Sequence, residues 1–148
     1  MHLPISILSN ANPAMVKMDP FPHLILVDAI PFDFAANLTN SFPKHLFDLT
    51  SNNQRFDISA INAINSPHIS KDWRQFIAYH SSNEFFKEVL CLFENSLLLN
   101  KNINLARLNN LNTGIRFRDT FDDKDCLLDA QISINTPVTK KSSVRKAL

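Results

Sequence analysis

Any chemistry in this chain would come from a few polar side chains. Histidine is the commonest metal ligand and general base, and the chain carries His2, His23, His45, His68 and His80. His80 closes an apolar stripe of Trp73, Phe76 and Ile77, where a core or boundary histidine is expected rather than a ligand. His23 opens an apolar run, and His45 and His68 sit in segments of surface or loop character. Asp119, Asp122, Asp123 and Asp125 gather four carboxylates. They lack the glycine and closing glutamate of a calcium loop, so a solvated turn is expected. Lys140, Lys141, Arg145 and Lys146 could touch phosphates but read as a solvated terminus. The remaining set is Asp129, Gln131, Ser133 and Asn135, every second residue of one stretch. Such a row is either a solvated sheet face or the lining of a site.

Gly114 is the single glycine. Rossmann, Walker and nucleophile-elbow loops each need two or more, because their backbones turn left-handed or approach a ligand closely. Nucleotide binding through such loops and α/β-hydrolase chemistry are therefore excluded. A net charge of +1 gives no general attraction to nucleic acid or anionic membrane. Cys91 and Cys126 lie far apart without Cys-x-x-Cys spacing, which fits free thiols in a reducing compartment. No Lys or Arg precedes Lys17, and no long apolar run follows, unlike a signal peptide. The most apolar stretch, Val89–Leu99, is broken by Glu94, Asn95 and Ser96 and falls short of the roughly 20 residues a membrane span needs. A cytoplasmic protein is expected.

The elements that would position these residues follow from periodicity. With 148 residues the chain suits one domain. Residues 1–20 read as a loose, proline-punctuated lead-in, with at most a short strand at Ile5–Leu8. Residues 21–110 read as a strand plus a helical layer. The run His23–Asp28 has the length and flanks of a buried strand. Phe34, Leu38 and Phe42 then predict a helix from Pro31 to Ser41, ended by Pro43. A short helical turn is expected at His45–Leu49 and an extended piece near Phe56–Ser59. Ser70 is a suitable cap for the helix bearing Trp73, Phe76, Ile77 and His80. Ser81-Ser82-Asn83-Glu84 reads as a capping box opening a helix striped by Phe86, Val89, Leu90, Phe93 and Leu97. Trp73, Phe76, Phe86, Val89, Leu90 and Phe93 are the expected core.

Residues 111–148 change period. Gly114–Arg118 alternates apolar and basic residues. Over Leu128–Val138, Leu128, Ala130, Ile132, Ile134 and Val138 share one face, opposite Asp129, Gln131, Ser133 and Asn135. The fold class is α+β: an N-terminal strand, a helical layer, then the start of an antiparallel sheet.

Three patches together suggest a family. Phe21-Pro22-His23-Leu24-Ile25-Leu26-Val27-Asp28, with Pro31 and the helix ending Ser41-Phe42-Pro43, looks like the opening of the 2-oxoglutarate/iron(II)-dependent oxygenases related to prolyl hydroxylases. Ser66-Pro67-His68-Ile69-Ser70-Lys71-Asp72-Trp73-Arg74, with the Phe85-Phe86 helix, is similar to their helical support layer. Asp129-Ala130-Gln131-Ile132-Ser133-Ile134-Asn135-Thr136-Pro137-Val138 resembles a strand of their jelly-roll core (the double-stranded β-helix) just before the iron site.

The resemblance implies an incomplete jelly roll, with Asp129, Gln131, Ser133 and Asn135 lining its cavity. It implies iron(II) and 2-oxoglutarate as the family's cofactors, and a small-molecule or side-chain substrate. The family holds iron with two histidines and a carboxylate, beginning with a His-x-Asp/Glu pair. None of the five histidines here starts such a pair, and Ser142-Ser143-Val144-Arg145 matches a segment that precedes it in the family. The chain is thus expected to be an N-terminal portion that is inactive alone, binds neither cofactor tightly, and has no assignable catalytic or metal residue. An unpaired strand edge would favour self-association. The alternative is a non-catalytic structural or binding domain.

Overall fold

The computed structural model describes residues 5–50, 52–115 and 126–137. Six α-helices lie in these residues: α1 Phe32–Asn40, α2 Ala60–Asn65, α3 Lys71–His80, α4 Asn83–Leu92, α5 Glu94–Leu98 and α6 Leu105–Asn109. Four strands accompany them: β1 Arg55–Ser59, β2 Thr113–Ile115, β3 Cys126–Leu128 and β4 Gln131–Asn135. Strands β1 and β4 pair antiparallel, with Asp57 opposite Ser133. Strands β2 and β3 pair parallel, so the antiparallel expectation for the C-terminal stretch does not extend to them. The composition is that of an α+β protein with two small sheets.

Local signals account for much of this. Helix α1 has Pro31 at its N-cap, and its turn is closed by the Ser41 N–H on the Asn37 carbonyl. The Ser70 hydroxyl caps α3 by accepting from the Trp73 N–H at 3.3 Å. Two aromatic side chains then tie α3 to α1. Trp73 Nε1–H donates to the Leu38 carbonyl at 2.8 Å, and Phe34 meets Phe76 with ring centres 5.9 Å apart. The capping box is displaced by one residue. Ser82, rather than Ser81, caps α4 by accepting from the Phe85 N–H at 3.2 Å. Ser81 instead ends α3, buried with its hydroxyl donating to the Ile77 carbonyl. The Glu84 carboxyl is held below the usual carboxylate range by its own backbone N–H, and next by the Ser82 hydroxyl.

The helix expected to reach Leu97 breaks at Phe93, which ends α4 and caps α5. Asn95 and Ser96 lie in the next turn, and both side chains compete with helical backbone for hydrogen bonds. Helices α2 and α6 were not expected, since each is barely more than one turn and shows no useful period. The helical turn near His45 is a 3₁₀ turn, Lys44–Leu46, and the extended piece at Phe56–Ser59 is β1.

The run His23–Asp28 is not a buried strand. Its ladder contact among the described residues is a single bridge between Lys17 and His23. Ile25 and Val27 stand 71% and 84% exposed. A strand requires a partner edge, and Pro20 and Pro22 beside it have no N–H to offer one. Asp28 then turns left-handed at φ 53°, which aspartate tolerates better than a branched residue, and the run ends. Nor is Ile5–Leu8 a strand: it leads into a turn.

The core also sits elsewhere than expected. Its buried centre is Ala60 and Ala63 of α2, Ile69, Ile77 of α3 and Ile132 of β4. Phe42, Phe47, Ile58, Ile64, Trp73, Ile115 and Ala130 surround it. Of the predicted six, Leu90 is buried and Trp73 flanks the centre, whereas Phe76, Phe86, Val89 and Phe93 are only half-buried. These residues lie on α3 and α4 and at the α4–α5 junction, whereas the buried centre joins α2, α3 and β4. The proposed strand Leu128–Val138 divides into the end of β3 and all of β4, and Val138 lies outside the described residues. So do Arg116–Arg118, the acidic cluster from Asp119 to Asp125, and the basic tail.

This placement orders the costs of truncation. Ile132→Ala should destabilise the chain by about 2–5 kcal/mol. Phe86→Ala, at a half-buried site, should cost less than Ile132→Ala. Denaturant unfolding followed by the fluorescence of Trp73, the single tryptophan, measures both. Equal losses would place the core on the helical stripe after all.

Candidate functional site

The β1–β4 ribbon has two chemically different faces because side chains alternate along a strand. Phe56, Ile58, Ile132 and Ile134 point one way, with Ile132 only 2% exposed against α2 and α3. Arg55, Asp57, Ser59, Gln131, Ser133 and Asn135 share the other face. The ribbon is pinned at one end by Thr136. Its buried hydroxyl accepts from the Gln54 N–H at 2.8 Å, and its own N–H donates to the Gln54 carbonyl at 2.8 Å.

The polar face is a connected network. Arg55 Nε–H donates to Asp57 Oδ1 at 2.8 Å, and Arg55 Nη2 reaches Gln131 Oε1 at 3.2 Å and Ser133 Oγ at 3.4 Å. The Ser133 hydroxyl donates to Asp57 Oδ1 at 2.6 Å. Gln131 Nε2 donates to Asp129 Oδ2 at 3.1 Å, and Asp129 Oδ1 accepts from the Ala60 N–H at 3.3 Å. Asp129 lies just before β4 and joins the row by these bonds, and Asn135 is exposed at its far end. The four residues expected to line a site are thus placed on one side of the ribbon. Ser59 Oγ is buried without a hydrogen-bond partner among the described residues.

Arg55 and Asp57 were missed as site residues. The signal was present in the alternation Arg55-Phe56-Asp57-Ile58-Ser59, but nothing in sequence tells which distant strand lies beside it. The face offers hydrogen-bond donors and acceptors and one guanidinium oriented by a carboxylate. A concavity of about 420 Å³ lies elsewhere, lined by Ile30, Ala35, Leu38, Thr39, Phe42, Lys44 and Trp73.

Among the described residues, no three His, Cys, Asp or Glu side chains converge as a metal-binding group. The described residues alone therefore do not supply the two histidines and carboxylate that iron requires in the resembled family. His45 and His68 are exposed, His23 bonds the Phe21 carbonyl through Nδ1, and His2 lies outside the described residues. Cys91 and Cys126 are unbonded. No described helix is long and apolar enough to cross a membrane. No protein-family model matches the chain, and no curated protein or solved structure matches it either.

A second polar cluster joins the lead-in to the helices. The two oxygens of Glu88 accept from the Ser6 hydroxyl, at 2.5 Å, and from the Tyr79 hydroxyl. His80 is half-buried beside them, its ring against Phe76 and Phe85. Its Nε2 accepts from the Ile7 N–H at 3.2 Å. This is the boundary histidine expected from the stripe. Sequence carried no sign of the Ser6 and Glu88 contacts, which join residues 82 apart.

The Tyr79 phenol is pushed up to about 12, chiefly because it donates to the Glu88 carboxylate, with burial adding to the effect. A raised folded-state value means that its stabilisation is complete below about pH 10 and is lost as pH rises through about 12. Tyr79 is the single tyrosine, so phenolate absorbance reports it directly. The midpoint should lie near 12 and fall toward 10 in Glu88→Gln. A wild-type midpoint near 10 would show that the bond does not persist in solution.

The ribbon network makes a contrasting prediction. The Arg55–Asp57 pair is largely solvent-exposed on the arginine side. Asp57→Ala should therefore change stability by less than about 1 kcal/mol. A loss above about 2 kcal/mol in denaturant unfolding would make this face a structural element rather than a free recognition surface.

Proposed function

We propose that this chain is the N-terminal portion of a 2-oxoglutarate/iron(II)-dependent oxygenase: a helical support layer bearing early strands of the jelly roll. The observation that supports it best is the two-faced β1–β4 ribbon. One face packs on α2 and α3, and the other presents Arg55, Asp57, Gln131 and Ser133 outward. A catalytic jelly roll needs that division, with helices outside and a polar lining inside. In this reading Asp129, Gln131, Ser133 and Asn135 line the cavity wall, with Arg55 and Asp57 beside them.

The oxygenase family couples hydroxylation of a small molecule, sugar or protein side chain to conversion of 2-oxoglutarate and oxygen into succinate and carbon dioxide. This chain's share of that work is positional. Its helices brace the sheet, and its polar face contacts substrate or cofactor. The iron ligands are not supplied by its described residues, and no chemical step is assigned to them. The cytoplasm is the compartment that suits such an enzyme and two unbonded cysteines. Among the described residues the ribbon has two strands, and a strand edge without a partner would be the route to self-association.

A second reading, a non-catalytic structural or binding domain, is favoured by one observation. The polar face satisfies itself through hydrogen bonds among Arg55, Asp57, Gln131 and Ser133. Reading the encoding DNA past the Leu148 codon separates the two. A His-x-Asp or His-x-Glu within a few codons, in frame or after a frameshift, supports the oxygenase reading. A stop with no such pair in any frame overturns it in favour of the second.

Iron titration makes the corresponding biochemical prediction. The anaerobic chain with iron(II) and 2-oxoglutarate should develop no stoichiometric visible band. Such a band would require a ligand set that the described residues do not show.

A further inference from the structure

The contact between the lead-in and the helical layer is committed to one protonation state. His80 Nδ1 lies 2.7 Å from the Phe76 carbonyl, which can only accept, so Nδ1 carries the proton. Nε2 is then the bare nitrogen, and it accepts from the Ile7 N–H at 3.2 Å. An imidazolium would carry N–H at both positions. Its Nε2–H would face the Ile7 N–H, donor against donor, and that contact could not persist.

We propose that residues 5–8 form a proton-operated latch, closed on the α3–α4 seam while His80 is neutral and released when its imidazole takes up a proton. The remaining bonds make the release cooperative. The Leu8 N–H donates to Ser6 Oγ at 3.1 Å, and the Ser6 hydroxyl donates to Glu88 Oε2. Ser6 and Ile7 are adjacent, so loss of the Ile7 anchor strains the Ser6 anchor directly. Glu88 favours the imidazolium electrostatically and offers it a carboxylate in place of the Ser6 hydroxyl. The switch thus exchanges one partner of Glu88 for another.

The groups around His80 set the direction of the switch. Tyr79 lies on the same helix and Glu88 on α4, with Glu84 one turn before Glu88. The Phe76 and Phe85 rings, 4.1 and 4.5 Å from the imidazole by centroid, add no charge. Burial lowers the imidazole below its ordinary value, opposed by the Phe76 carbonyl and then by Glu88. A lowered folded-state value contributes stability above about pH 6.5 that is lost as pH falls through the folded value. The latch is therefore closed at neutral pH and opens on the acid side. Opening uncovers the Tyr79–Glu88 seam and frees the lead-in. None of this depends on the oxygenase reading.

The test is amide hydrogen exchange on the whole chain, corrected for intrinsic rates, with long-range nitrogen NMR of His80. At neutral pH the imidazole should carry its proton on Nδ1. As pH falls below about 6.5, protection of the Ile7 and Leu8 amides should fall about tenfold or more, in step with the imidazole titration. The Ile77 and Leu90 amides should keep their protection. In His80→Gln, which retains an acceptor but does not titrate, the Ile7 and Leu8 amides should lose this pH dependence. Four results would overturn the latch: a neutral-pH proton on Nε2, constant Ile7 protection, simultaneous loss at Ile77, or an unchanged pH response in His80→Gln. The first three are read on the wild-type chain and need no variant.

Discussion

Two alanines govern how close the sheet can come to the helices. Ala60 and Ala63 are fully buried, and their spacing of three puts both on one side of the short helix α2. Neither has a side chain beyond Cβ. That leaves room for Ile132 of β4 to sit between α2 and α3, against Ile69 and Ile77. A larger residue at either alanine would overpack this seam and push the ribbon away. The rest of the β1–α2–α3–β4 unit follows. Strand β1 leads directly into α2, so seating α2 fixes where β1 stands, and β1 in turn offers β4 its edge.

That seam also decides the character of the candidate site. Once Ile58 and Ile132 are turned toward the helices, the strict alternation of a strand turns Asp57 and Ser133 away from them. Four polar side chains from two distant segments then meet and satisfy one another, with Arg55 as the shared donor. Asp129 extends the same connection back to the first N–H of α2. Core and polar face are therefore one construction, and a slip of one residue in register would exchange them.

The N-terminal part is held on different terms. Its segment from Met18 to Phe32 keeps several large apolar side chains in solvent, including Phe21, Ile25, Val27 and Phe32. The lead-in is tied instead by polar contacts, through Ser6 and Ile7 to Glu88 and His80. Hydrogen bonds of that kind are individually modest. They depend on the protonation of their partners in a way that apolar burial does not, so this end of the molecule responds to pH while the alanine seam does not.

The sequence by itself determined the elements whose signals are local. Proline placed the start of α1, Ser70 capped α3, and the alternation after Leu128 separated Ile132 from Gln131 and Ser133. These depend on dihedral preference, capping and period, which act within a few residues. Tertiary structure decided what those signals cannot carry. It left His23–Asp28 without a ladder, because a strand exists only beside a partner. It placed the core at Ala60, Ala63 and Ile132 instead of the phenylalanine stripe, because burial depends on what packs opposite a face. It also brought Arg55 to Ser133 and Ser6 to Glu88. Contacts between residues about eighty positions apart leave no trace in local periodicity; they follow from how the packed faces orient the chain.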